Sequence, residues 1–318
     1  MNKIEVQNPA EAIGETTKEL LKQISNGDAA FDGAYNIREN GCSVARKSGK
    51  HIKIESKADG SGLDIHIEAG AKGESVSIPA CVTHGNVDDL VYNDFFVGEN
   101  ADVTIVAGCG VHTETGEPAR HNGIHRFFLE RGAHVVYLEK HIGTGKGTGI
   151  RSIDPVTYVE LAEDAVLEMD TAQIGGVDRT TRKTDAVLAA GAKLIVKERL
   201  LTEKEQTADT QFCVELNGEG AGADIVSRSV AKDKSYQSYT STIIGNAPCT
   251  GHTECDAIID GEAVVDAAPK LSARHADAAL IHEAAIGKIA GEQILKLCTL
   301  GLTEEEAEAK IIEGFLGR

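Results

Sequence analysis

Six small-residue turns, each followed by an apolar run, recur through the middle of this chain at nearly constant spacing. They are Glu68-Ala69-Gly70-Ala71, Gly98-Glu99-Asn100-Ala101, Arg131-Gly132-Ala133, Glu163-Asp164-Ala165, Ala190-Gly191-Ala192 and Ala221-Gly222-Ala223, with final alanines 30, 32, 32, 27 and 31 residues apart. A fixed period of about 20 to 50 residues signals a solenoid or an array. Between the turns, runs such as Leu63-Asp64-Ile65-His66-Ile67 and Val103-Thr104-Ile105-Val106 alternate with the period of two expected of strands. This alternation, with 34 glycines in the chain, excludes helical repeats. Each period also holds too few strand-length runs for a four-stranded propeller blade. The sequence therefore predicts a mainly β fold: a right-handed parallel β-helix, one coil per period, stacked through inward-facing Val, Ile, Leu and Ala.

The flanks read differently. Pro9-Ala10-Glu11-Ala12-Ile13 opens a helical pattern in which Ile13, Leu20, Leu21 and Ile24 return near the 3.6-residue period, until Asn26-Gly27 stops it. From Ala284 onward the chain again reads as helical, with Ile294, Leu297 and Cys298 on one face. Thr303 followed by Glu304 to Glu306 forms a capping box, and Ile311, Ile312, Phe315 and Leu316 extend the apolar stripe. The expected organisation is an N-terminal helical segment (1–29), a β-helix core (30–273) and a C-terminal helical segment (274–318), the helices capping the open solenoid.

The charge balance narrows the function. With 32 Lys and Arg against 50 Asp and Glu, the 318-residue chain carries a formal charge of −18, which disfavours nucleic acid and anionic membrane as partners. Seven cysteines, an odd set without a regular framework, predict reduced thiols. Met1-Asn2-Lys3-Ile4-Glu5 begins no apolar targeting segment and no run is long enough for a membrane helix, so a cytoplasmic protein is expected. The absence of Trp and an aromatic content of 4% fit poorly with a carbohydrate-binding groove.

Several motifs could carry chemistry. Cys249-Thr250-Gly251-His252-Thr253-Glu254-Cys255 spaces two thiols and an imidazole like a metal knuckle. On an extended strand, however, Cys249 and Cys255 share one face and His252 takes the other. By composition Cys255 is a small hydrophobe inside a coil. His121, His125, His134 and His141 read as surface histidines that coil stacking could bring near one another. Gly143-Thr144-Gly145-Lys146-Gly147-Thr148-Gly149 fails the phosphate-loop pattern, with Gly147 where a Ser or Thr would hold magnesium, and reads as a loop.

The tail contains Ile281-His282-Glu283-Ala284, Ile286-Gly287-Lys288-Ile289, Glu292-Gln293, Gly301-Leu302-Thr303-Glu304-Glu305-Glu306-Ala307 and Glu313-Gly314-Phe315. Together with the Cys255-Asp256 strand, this resembles the C-terminal signature of the SufB/SufD family of iron–sulfur cluster assembly proteins. The resemblance covers about the last seventy residues at motif level. It implies a scaffold, not an enzyme, on which a transient cluster is held by Cys255 as thiolate, Glu283 as oxygen ligand and His282 as adjacent nitrogen ligand. Cys249 and His252 are further candidates. The implied partners are a SufC-like ABC ATPase docked on the tail, a sulfur donor, and a second copy or a SufB/SufD-type partner. A SufD-like subunit that ligates no cluster is the alternative. At Tyr137-Leu138-Glu139-Lys140-His141 the chain departs from the family's Tyr-x-Glu-Gly-Cys pattern, with His141 where a sulfur-accepting cysteine would stand.

Overall fold

A computed structural model describes residues 13–25 and 32–317. The expected helix start at Pro9 to Ala12 and stop at Asn26-Gly27 lie outside the described residues. Helix α1 (Glu15–Ile24) is followed by β1 (Ala34–Glu39), β2 (Cys42–Lys47), β3 (Ile52–Ser56), β4 (Gly62–Ile67), β5 (Lys72–Ser77), β6 (Ala80–Val82) and β7 (Val87–Val97). The coils continue through β8 (Asp102–His112), β9 (Ala119–Leu129), β10 (His134–Thr144), β11 (Arg151–Ile153), β12 (Val156–Leu161), β13 (Val166–Ile174) and β14 (Arg179–Leu188). They end with β15 (Lys193–Thr202), β16 (Thr207–Leu216), β17 (Gly222–Ala231), β18 (Tyr236–Gly245), β19 (Thr250–Ile259), β20 (Val264–Ala273) and β21 (Ala279–Gly287), before α2 (Gly291–Cys298) and α3 (Glu304–Phe315).

From β5 onward the strands alternate between two parallel sheets, giving a β-solenoid of about eight turns. One sheet runs β2-β1-β5-β8-β10-β13-β15-β17-β19-β21 and the other β20-β18-β16-β14-β11-β9-β7-β4-β3. Among the described residues only the β1–β2 and β3–β4 hairpins pair antiparallel, and they close the N-terminal end.

The recurring alanine has a geometric cause. Gly70, Asn100, Gly132, Asp164, Gly191 and Gly220 each take positive φ, between 55° and 73°, turning the chain from one sheet to the other. This is the left-handed region that Gly, Asn and Asp tolerate best. The next residue must then fit inside the corner, and Ala71, Ala101, Ala133, Ala165, Ala192 and Ala221 are all buried. The last of these corrects the sequence register: the corner alanine is Ala221, 29 residues after Ala192, and Ala223 lies within β17. Cys249 takes the next corner, its carbonyl accepting from Ala279 as the Ala133 carbonyl accepts from Val166.

Inside the coils, alternate residues form one continuous core that includes Phe95, Phe127, Tyr137, Leu167, Met169, Leu188 and Ile225. Phe95 and Phe127 stack at 4.7 Å between centroids across neighbouring coils. Each such side chain contributes about 1.5–3 kcal/mol by leaving water. Helix α1 lies along the outside of β8 and β10, burying Leu20, Leu21 and Ile24. It fits because Gly108 and Gly110 lack side chains; a Cβ there would stand 2.8 Å from Ile24 and 3.0 Å from Leu20.

The glycine-rich stretch after β10 packs on the preceding coil, with Gly147 and Gly149 N–H donating to the Thr113 and Thr115 carbonyls. At the other end, the helix expected from Ala284 begins at Gly291, because β21 pairs in register with β19 as far as Gly287. The solenoid therefore extends beyond the expected boundary at residue 273. The capping box at Thr303 forms, its hydroxyl accepting from Glu306 N–H at 3.2 Å and the Glu306 carboxylate accepting from Thr303 N–H at 2.9 Å. Helix α3 buries Ala307, and Leu316 is buried directly after it, whereas α2 buries nothing and leaves Leu295 65% exposed.

Candidate metal-binding site

The expected ligands sit on two neighbouring strands of one sheet. β19 pairs with β17 on one side and β21 on the other, and this register sets Thr253 beside His282, Glu254 beside Glu283, and Cys255 beside Ser227 and Ala284. Cys255 and the His282-Glu283 pair thus lie on adjacent coils. Because successive side chains along a strand point to opposite faces, the pleat then divides the set. Cys255 and Thr253 are buried in the interior, and His282 takes the inward position beside Thr253. Glu283 and His252 face outward.

On the inner face, Cys255 is 2% exposed, and burial first, then Glu198, push its thiol up to about 12. It is therefore protonated at neutral pH. A metal must displace that proton, and each unit of pKa above ambient adds about 1.4 kcal/mol to the cost. His282 lies one diagonal step away, and its enclosed Nδ1 meets no hydrogen-bond partner among the described residues. An imidazole nitrogen without a partner, on the same face as a thiol, is a donor set suited to a soft or borderline metal. Cys249 is buried at its corner, where it serves as a small hydrophobe.

On the outer face, His252 Nδ1 lies 2.7 Å from Asp224 and its Nε2 lies 3.7 Å from Glu283. Asp224 raises the His252 pKa above its ordinary value by hydrogen bonding and charge. The five expected residues therefore do not converge on one point within a protomer. Cys255 and His282 look inward, Glu283 and His252 look outward, and Cys249 fills a turn.

The interior also holds charged residues absent from the sequence-level expectations. Arg182 Nη1 lies 2.6 Å from Glu139 Oε2, and its Nε lies 3.4 Å from Glu198. His141 Nε2 is 3.2 Å from Glu139, Tyr137 donates to Glu139 at 2.8 Å, and Ser227 donates to Glu198 at 2.7 Å. Since Ser227 is the register partner of Cys255, this polar column runs from the middle coils to the thiol.

Burial opposes charge on Glu139, but Arg182 and His141 outweigh it and hold the carboxyl well below its ordinary range. Glu198 goes the other way, burial pushing it up despite Arg182. His121, His125 and His141 are buried and not on the surface as expected; burial lowers His141 and takes His125 down to about 4. Strand parity held the signal, since Arg182 and Glu198 occupy the same alternation as the inward Leu188 and Leu194.

Residues 92–315 match the family described as SUF system FeS cluster assembly, SufBD core domain. A protein named iron-sulfur cluster assembly SufBD family protein from Methanothermobacter thermautotrophicus is 29% identical over 82% of this chain and 64% of its own length. Proteins of that family name from Archaeoglobus fulgidus and Methanocaldococcus jannaschii are 30% and 28% identical over 83% and 74% of this chain, and over 70% and 74% of theirs. The chain thus spans just under two thirds of the Methanothermobacter relative. A family match across most of the solenoid and both C-terminal helices places the chain in the SufBD family of SUF-system iron–sulfur cluster assembly proteins.

Proposed function

We propose that this protein is a scaffold on which iron–sulfur clusters are assembled and from which they are transferred, acting as a homodimer with a SufC-like ABC ATPase. The observation that carries this reading is the inward pair of Cys255 and His282 on the last two strands of one sheet, in a chain of the SufBD family. The cluster is cargo here, with Cys255 as its thiolate ligand. Its other ligands come from His282 and Glu283.

Because Glu283 faces away from Cys255, the full set requires a rearrangement of β21 or ligands from two protomers. β21 is the edge of its sheet and β20 the edge of the other, and a free strand edge offers backbone groups to a second chain. Pairing of protomers there would bring two copies of Cys255 and His282 together. An ATPase docked on the exposed face of α2 would supply the work of opening the buried thiol, provided that its ATP state favours the open form.

A SufD-like subunit that binds these partners without a cluster is the competing reading. It draws support from the sealed, protonated Cys255. Anaerobic reconstitution with iron and sulfide, in the presence of the co-expressed ATPase, separates the two. Wild type is expected to develop cluster absorbance that Cys255→Ser lacks, and equal cluster content in both would eliminate the scaffold assignment.

A further inference from the structure

The outer face of these strands carries a second group of ligand-type side chains. Register stacks Asp224, His252 and Ile281 on one rung, and Val226, Glu254 and Glu283 on the next. Ligand atoms of His252, Glu254 and Glu283 all lie within 4.8 Å of one another. Donors around a tetrahedral ion with bonds of about 2.0–2.1 Å are about 3.3 Å apart. Rotation of Glu283, whose side chain is 67% exposed, can close the gap.

Two further features distinguish this group from a chance gathering of acids. Asp224 accepts a hydrogen bond from His252 Nδ1–H at 2.7 Å, which leaves Nε2 as a lone-pair donor on the side of Glu283. A carboxylate behind a histidine is the usual support of a metal-bound imidazole, since it fixes both tautomer and ring orientation. Charge also favours a cation. Asp224 and Asp256 adjoin the two glutamates of the group, and among the described residues the only arginine paired with it, Arg228, reaches Glu254 at 3.8 Å from a half-exposed position.

We propose that His252, Glu254 and Glu283 bind one divalent first-row cation on the outer face of β19 and β21, with Asp224 holding His252 in its ligating tautomer. One nitrogen and two carboxylate donors suit iron(II), manganese(II), cobalt(II) or zinc(II) better than magnesium or calcium, which take oxygen ligands. Naming the physiological occupant as ferrous iron, held outside the solenoid before it meets sulfur, rests on the assembly reading above. The site itself does not.

The test is anaerobic titration of the metal-free full chain with cobalt(II), followed by visible absorption and calorimetry. One cobalt per chain is expected. His252→Gln and Glu254→Gln should each weaken binding at least tenfold, and Asp224→Asn should weaken it about 10-fold to 100-fold, as loss of a supporting carboxylate does elsewhere. Cys255→Ser should leave it unchanged. Absence of binding by wild type, wild-type affinity in both glutamine variants, or loss of binding in Cys255→Ser would each overturn the proposal. Asp224, His252 and Glu254 are at least partly exposed, and circular dichroism of each variant, the buried Cys255→Ser included, verifies the fold. Loss of cluster in Cys255→Ser alongside an unaltered cobalt site supports both readings, whereas a wild-type cluster content with the cobalt site intact removes the scaffold reading alone.

Discussion

Two of the histidine–carboxylate clusters in this solenoid, one inside the middle coils and one outside the last coils, differ in their counter-ion. Inside, Arg182 stands between Glu139 and Glu198 and contacts both, so the buried charge is offset locally. Outside, among the described residues, Glu254 has one half-exposed arginine at 3.8 Å, and the histidine beside Glu283 is already committed to Asp224. The first arrangement is closed to added metal, because a guanidinium holds the place a cation would take. The second is open to one. Residue type alone would not separate them; position of the positive charge does.

Removing that charge from the interior should have the largest effect. Arg182→Met leaves two carboxylates facing each other out of water and is expected to cost about 3–5 kcal/mol, read from the urea unfolding midpoint. Arg228→Met on the outer face should change stability by less than about 0.5 kcal/mol. Equal effects would erase the distinction between the clusters.

The histidines should respond to pH in opposite directions. His125, at about 4 in the folded chain against 6.5 when unperturbed, is uncharged inside, while the unfolded chain takes up its proton first. Stability should therefore fall as pH drops below 6.5, by about 2 kcal/mol between pH 7 and pH 5 for this one group. His125→Leu should flatten that slope even where it lowers stability at pH 7. Glu139 works in the same direction at lower pH, its contribution lost as pH falls through its depressed folded value, while Glu198 opposes it because its folded value is raised.

The smallest effect belongs to Asp224→Asn. Stability should change by no more than about 0.5 kcal/mol at this exposed pair, yet the NMR titration of His252 should move down toward the ordinary histidine value. An unmoved titration would show that Asp224 does not hold the ring.

Much of the solenoid was legible because a parallel coil repeats its own steric demands. At six successive corners a residue that tolerates positive φ precedes a small buried one, and the Gly70-Ala71, Asn100-Ala101 and Asp164-Ala165 pairs state that in the sequence. The Thr303 capping box was equally local. The misread helix at Ala284 shows the limit, since an alanine-rich segment has a helical composition but becomes strand when β19 offers it an edge. The Ala221 register was missed because Ala221 and Ala223 both suit a corner, and only Gly220 decides between them.

The candidate site was legible in part. The alternation along an extended strand predicted that His252 would face away from Cys255. The buried Arg182 and Glu198 went unremarked because charged residues are ordinarily read as surface, although their parity with the core was visible.

The sequence by itself determined the repeat, the corners, and which residues alternate within each strand, because these depend on contacts of a few residues. The tertiary structure decided which partners those faces meet: register set Glu254, not Cys255, beside Glu283, and the stacking of coils put Arg182 between two carboxylates. A shift of one residue in pairing would exchange the inner and outer faces, and that choice is made by packing across the whole core.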